Sequence, residues 1–193
     1  MCCTGQMMLV PFYRSAVRQF DSRIRAVDPA QWTSSTPDSD WDVQRLVAHV
    51  VNVQNRFAAH LGGRRSSPTA ATGAELVDAW SEASAASVAA FESVTDWSVP
   101  APLPTGVPGT LGELGWLLTS DLNIHAWDLA RAVNAPDEFP NDLVGAVLEQ
   151  TKASQERWFR SESFAPPIPV PGCTDDLTEL LALSGRNRWW RRG

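Results

Sequence analysis

A chain of 193 residues, 44% of them hydrophobic, is long enough to bury one sizeable core and is read as a single domain over residues 1–193. Its formal net charge of −6 argues against nucleic acid as a partner, because phosphate-backbone binding rests on clustered Lys and Arg. The opening residues lack a basic stretch followed by a long apolar run, and no segment approaches a membrane span, so a cytoplasmic protein without a membrane partner is expected.

Cys2 and Cys3 stand together at the terminus and Cys173 lies far from them, which makes neither a CxxC knuckle nor an even disulfide framework. Reduced thiols, the first two on a disordered terminus, are the expectation. From Val10 the apolar residues Val10, Tyr13, Val17, Phe20, Ile24 and Val27 alternate by three and four, predicting a helix that ends at Asp28-Pro29. Ser39 and Asp42 have capping-box spacing ahead of a second helix through Val43, Leu46, Val47, Val50, Val53, Phe57 and Leu61, closed by Gly62-Gly63. Thr72 and Glu75 repeat that spacing before a third, striped by Leu76, Trp80, Ser84, Ser87, Phe91 and Val94.

Residues 98–109 carry four prolines and are predicted to cross the surface in extended form, a connection suited to helices that run the same way. Thr110 and Glu113 open a fourth helix that fades at Asn134-Ala135-Pro136. A fifth, from about Pro140, carries Val144, Val147, Leu148, Thr151, Trp158 and Phe159. A second proline-rich connector, Phe164 to Gly172, precedes a short helix around Asp175 to Leu183 that Gly185 terminates. Strand alternation, internal repeats, a phosphate-binding glycine loop and a Gly-x-Ser-x-Gly elbow are all missing, so the fold class is all-α. In the closing RNRWWRRG, Arg186, Arg188, Arg191 and Arg192 surround Trp189 and Trp190. This reads as a solvated or frayed tail with Trp packing back on the bundle, an anion-binding arm being the alternative.

The fourth helix holds the chemistry. At 3.6 residues per turn, Leu114, Leu117, Leu118, Asp121, His125, Asp128 and Ala132 share one stripe, and ionisable groups among leucines are costly unless something compensates them. His49 sits on an apolar face of the second helix, between Leu46 and Val53. One carboxylate and two imidazoles facing one another across a bundle supply three metal ligands and leave a coordination position open. Zinc suits such a donor set, with nickel as the alternative. Spacing alone also fits a hydrogen bond along the helix surface and a satisfied core histidine. Asp128 is an alternative ligand, a carboxylate that orients a ligating imidazole, or an ion-pair partner for an Arg. His60 lies roughly 16 Å along the axis from His49 and is not expected to share an ion. Trp41, Trp116 and Trp127 flank these motifs and are read as core packing.

The segments WDVQRLVAHVV, IHAWDLARAV and LLALSGR together resemble the metal-binding domain of mycothiol-dependent maleylpyruvate isomerases, in a branch of small actinobacterial proteins of the DinB-like superfamily. The landmarks span Trp41 to Arg186. The resemblance implies a DinB-like four-helix bundle with a long proline-rich crossover and an additional short C-terminal helix. It implies a divalent metal on a His from the second helix and an acidic-xxx-His pair from a later one, which here are His49, Asp121 and His125. Activity as a metal-dependent transferase or isomerase is implied too, with mycothiol as cosubstrate and a small electrophile as substrate. A non-catalytic metal- or ligand-binding bundle is the alternative.

Two departures matter. The isomerases have Glu where Asp121 stands, so this carboxylate is shorter by one methylene and must come from a closer helix or bind through water. They also carry a further C-terminal domain that helps form the substrate site, beyond the point where this sequence stops, so maleylpyruvate isomerisation itself is not expected. Bundles of this type pair through exposed helix faces, which makes a homodimer the assembly to test, although no stripe here is clearly left over for a partner.

Overall fold

The computed structural model describes residues 3–38, 40–104, 106–158, 165–170, 172 and 175–192. Among the described residues six helices and one small ribbon follow in order: α1 (Cys3–Ile24), a single 3-10 turn (Pro29–Gln31), α2 (Val43–Leu61), α3 (Glu75–Ser93), β1 (Pro100–Pro102), β2 (Pro108–Thr110), α4 (Leu111–Val133), α5 (Asn141–Trp158) and α6 (Asp176–Leu183). The fold is all-α, as the sequence predicts. Cys2, Ser39, Phe159, Phe164 and Cys173 lie outside the described residues. None of the described helices is long and apolar enough to cross a membrane.

Local chemistry sets most of the helix ends. Asp42 caps α2 by accepting the Arg45 N–H at 2.8 Å. At α4 both halves of the box form, Glu113 N–H to Thr110 Oγ1 at 3.2 Å and Thr110 N–H to Glu113 Oε2 at 2.8 Å. At α3 only Glu75 Oε2 accepts, from the Thr72 N–H at 3.1 Å, because residues 72–75 form a turn and the helix starts at Glu75 itself. Asn134 ends α4 in the left-handed region, at φ 57°. Helix α1 departs from the pattern: it begins at Cys3 and continues through Pro11, where the sequence predicts a disordered terminus.

Helices α1 and α4 run the same way. Leu9 meets Gly115 near their starts, and beyond the end of α1 the Gln31 amide reaches the Val133 carbonyl at 3.2 Å. An added Cβ on Gly115 would lie 2.7 Å from Leu9 Cδ2 and 3.0 Å from Trp97 Cζ3, so this residue permits the close approach of the two helices. Helices α2 and α3 are also parallel, with Gln44 accepting the Gly73 N–H at their starts and Phe57 packed on Phe91 near their ends. The link between them, residues 62–74, returns beside α2, where Asn52 accepts the Thr69 N–H at 2.7 Å.

This link, rather than the proline-rich one, joins helices that run the same way. Within the proline-rich segment, β1 and β2 pair as an antiparallel ribbon, with Ala101 opposite Gly109 between two pairs that each include proline. Gly109 packs under Leu103, whose Cγ would be 2.8 Å from an added Cβ. Phe91, near the end of α3, and Trp97, just beyond it, meet Gly115 at the start of α4, so the ribbon connects antiparallel neighbours.

Helix α4 is the centre of the molecule. Of its residues only Glu113, Asp121 and Arg131 are not buried, so the predicted stripe is one face of a helix that is buried nearly all round. Tyr13, Phe20, Leu46, Val50, Trp80, Phe91, Leu122, Trp127 and Leu129 fill the core. The Tyr13 hydroxyl bonds Gln54 and Ser87, tying α1, α2 and α3 at one level.

The C-terminal segment is pinned rather than frayed. Asp175 caps α6, and Gly185, at φ 77°, closes it with the Arg186 N–H on the Leu181 carbonyl at 2.8 Å and the Gly185 N–H on Ala182 at 3.1 Å. Arg131 then holds the Trp190 carbonyl, Arg188 pairs with Asp137, and Arg192 donates to the Ala132 carbonyl at 3.0 Å. Trp190 packs on the core while Trp189 remains 65% exposed. Arg186, which the tail reading places in solvent, is buried.

Candidate metal centre

Helix α2 brings His49, and α4 brings Asp121, His125 and Asp128, to the interface between the two helices. Asp121 Oδ1 lies 3.4 Å from His125 Nε2 and 4.0 Å from His49 Nε2. One ligand atom from each of His49, Asp121 and His125 falls within 4.8 Å of the others. Tetrahedral ligands at ~2.1 Å from an ion stand roughly 3.4 Å apart, so this spacing fits a zinc-group ion after a small inward movement of His49. The shorter carboxylate of Asp121 reaches both imidazoles. Its other oxygen, Oδ2, is buried without a hydrogen-bond partner among the described residues, an arrangement that is costly unless a cation takes up the charge.

Electrostatics polarise the cluster. Burial is the largest influence on Asp121 and pushes its carboxyl upward, but His125 and then His49 outweigh it and hold the group below the usual carboxylate range. Burial likewise favours neutral His125, yet Asp121 and Asp128 together raise its pKa to about 9. The metal-free site therefore keeps a proton that an ion would displace.

Asp128 is fully buried and accepts from His125 Nδ1 at 3.0 Å. A carboxylate can only accept there, so Nδ1 carries the hydrogen and Nε2 is turned toward Asp121. Asp128 also takes Arg186, from Nη2 at 3.3 Å and Nε at 3.5 Å. It thus orients His125 and pairs with an Arg, two of the roles open to it in the sequence, and it is not among the three clustered ligands.

Arg186 reaches further, to Asp38 Oδ2 at 3.0 Å. Asp38 belongs to a tight loop in which Ser35 bridges to Asp42, and Thr36 Oγ1 donates to the carbonyls of Asp38 and Trp41, each at 3.0 Å. The same loop lays the Trp41 ring against His49, 4.6 Å between centroids, and against His125, 5.6 Å. Trp41 is therefore a wall of the site, whereas Trp127 is buried in the core and Trp116 packs on Phe12. His60 is exposed at the end of α2 and takes no part.

Arg186, Asp38 and the position of Trp41 escape the sequence reading. The only signal for Arg186 is the Ser-Gly-Arg that closes LLALSGR, because a glycine stop fixes where the next side chain starts. Two surface cavities, of about 380 and 330 Å³, lie around Arg131 and the C-terminal tail rather than at the histidines.

Residues 13–130 match the family model described as the mycothiol maleylpyruvate isomerase N-terminal domain, a span that includes His49, Asp121, His125 and Asp128 but not Arg186. Two uncharacterized proteins of Mycobacterium tuberculosis, from strains CDC 1551 and H37Rv, are each 29% identical over 177 residues, covering 90% of this chain and 95% of the relative. The crystal structure of the mycothiol-dependent maleylpyruvate isomerase matches with a TM-score of 0.62 at 16% identity, covering 78% of this chain and 69% of that one. A point mutant of the same enzyme gives 0.64 at 15% identity with the same coverage. At such identities these matches establish the fold.

Proposed function

The chain belongs to the family of the mycothiol maleylpyruvate isomerase N-terminal domain, and we propose that it is a divalent-metal protein that uses mycothiol in transfer to, or isomerisation of, a small electrophile. The observation that carries this reading is the convergence of His49, Asp121 and His125 within 4.8 Å, with one buried Asp121 oxygen left without a partner among the described residues. Zinc is the proposed ion, with nickel as the alternative, and residues 1–193 are proposed to act as one cytoplasmic domain, alone or as a homodimer.

Bound there, the ion would hold a thiol as thiolate at neutral pH and so supply the nucleophile. The chain's own residues prepare that chemistry. Asp128 fixes the His125 ring through Nδ1, which presents Nε2 to the site. Asp121 brings the negative charge that offsets the cation, and the α4 core behind it excludes water. His49 is the most exposed of the three, its side chain 31% accessible against 19% for Asp121 and 7% for His125. Thiol and electrophile therefore approach from the His49 side, beside Trp41.

Elemental analysis of untagged protein purified without chelator tests the reading, with wild type beside His49→Ala and His125→Ala. Near-stoichiometric zinc or nickel lost in both variants, followed by mycothiol-dependent consumption of a reactive electrophile, is the expected result. Metal without turnover would make this a metal-binding bundle with no catalytic role. A wild type that stays metal-free after incubation with divalent ions would overturn the proposal.

A further inference from the structure

Among the described residues, Arg186 is the one charged side chain that links the C-terminal segment to the candidate ligands, and it does so from a rigid base. A side chain at the glycine stop, Gly185, would be strained and crowded: its φ is 77° and an added Cβ would lie 2.6 Å from the Ala165 Cβ. The chain leaves α6 in a fixed direction, and Arg186 Nη1 donates back to the Ser184 carbonyl at 2.9 Å. From there the guanidinium, on a residue only 8% exposed, spans two carboxylates from distant parts of the sequence, Asp128 on α4 and Asp38 on the Trp41 loop. A planar fork with donors on three nitrogens can hold all these acceptors at once; an ammonium cannot.

Each arm leads to the site. Through Asp128 the guanidinium reaches His125 Nδ1, because one oxygen, Oδ2, accepts from both. Through Asp38 it reaches Trp41, since the Trp41 N–H bonds the Asp38 carbonyl and the Thr36 hydroxyl bonds the carbonyls of both residues. The Trp41 ring rests on both imidazoles.

We infer that Arg186 is a positioning residue for the metal ligands: it clamps the Trp41 loop and the buried Asp128 together, and by doing so fixes His125 and seats Trp41 over the imidazoles. This inference rests on the metal reading above. Ion binding and docking of the C-terminal segment are then coupled, each favouring the other.

The test uses the full chain as wild type, Arg186→Met, Arg186→Lys and Asp38→Asn, loaded with cobalt(II) as a spectroscopic probe. The visible bands and dissociation constant are recorded beside the melting temperature of each metal-free protein. Arg186→Met is expected to weaken cobalt(II) binding about 10- to 100-fold and to change the bands, as loss of a partner behind a ligand does. Arg186→Lys should recover only part of the affinity, because one ammonium cannot span both carboxylates. Asp38→Asn, which leaves the Asp128 arm in place, should weaken binding severalfold.

Wild-type affinity and bands in Arg186→Met, whatever its melting temperature, would overturn the inference while leaving the metal reading intact. Should Arg186→Met not fold, Asp38→Asn decides: unchanged affinity and bands would overturn the clamp. A wild type that takes up no cobalt(II) would overturn the metal reading, and the clamp with it.

Discussion

Loading the site with metal at pH 8 should expel nearly one proton. In the metal-free protein His125 stands between Asp121, 3.4 Å from Nε2, and Asp128, 3.0 Å from Nδ1, and its pKa is raised to about 9. A group with that pKa is roughly nine-tenths protonated at pH 8, whereas an ordinary imidazole near 6.5 is only ~3% protonated there. An ion at Nε2 removes this proton and leaves the one on Nδ1, which Asp128 keeps. Apparent affinity should accordingly rise about tenfold per pH unit from neutrality toward pH 9, about 1.4 kcal/mol per unit. Calorimetric titration in two buffers of different ionisation enthalpy gives the proton count directly. A release below ~0.3 proton at pH 8 would show that His125 is already neutral in the metal-free fold and that the two carboxylates do not hold its second proton.

The same shift sets how the metal-free protein responds to alkali. A raised folded pKa stabilises the fold fully below the unfolded value of ~6.5, and the contribution is lost as pH rises through about 9. Asp121 acts in the opposite sense: its lowered pKa stabilises above ~3.9 and the contribution is lost as pH falls. Denaturant melts of metal-free protein should therefore weaken between pH 6.5 and 9, a trend that bound metal abolishes.

Two substitutions probe the scaffold. Gly115→Ala forces a methyl to within 2.7 Å of Leu9 and 3.0 Å of Trp97, and should cost about 1–3 kcal/mol in urea unfolding while leaving metal affinity near wild type. Gly185→Ala combines a positive φ with a 2.6 Å contact to Ala165, and should lower both stability, by about 1–3 kcal/mol, and metal affinity, because Arg186 loses its base.

The elements that could be read from the sequence are those set by local chemistry. Thr110-x-x-Glu113 names the start of α4 because both halves of the box lie within four residues, and Asp121 and His125 are neighbours by helical pitch alone. His49 required only that one more apolar helix face carry an imidazole. What escaped depends on contacts between distant segments. Arg186 is 58 residues from Asp128, and its burial follows from a backbone stop rather than from any periodicity. Trp41 reads as core from the sequence because a tryptophan beside an apolar helix usually is; the bridged loop at Ser35 and Asp42 turns it onto the histidines instead. The prolines of residues 98–109 excluded a helix correctly. That the segment doubles back was decided by the Ala101 and Gly109 pairing, which no local signal announces.

The parallel pairing of α1 with α4 and of α2 with α3 gives the bundle two halves whose mutual contacts are sparser than those within each. Helices α2 and α3 are consecutive and can associate early, whereas α1 must wait for α4 to be reached across nearly ninety intervening residues. His49 lies in the early half, Asp121 and His125 in the late one. An ion shared among them is a staple across the last seam to close, so it should act chiefly by slowing unfolding, with little effect on how fast the chain collapses.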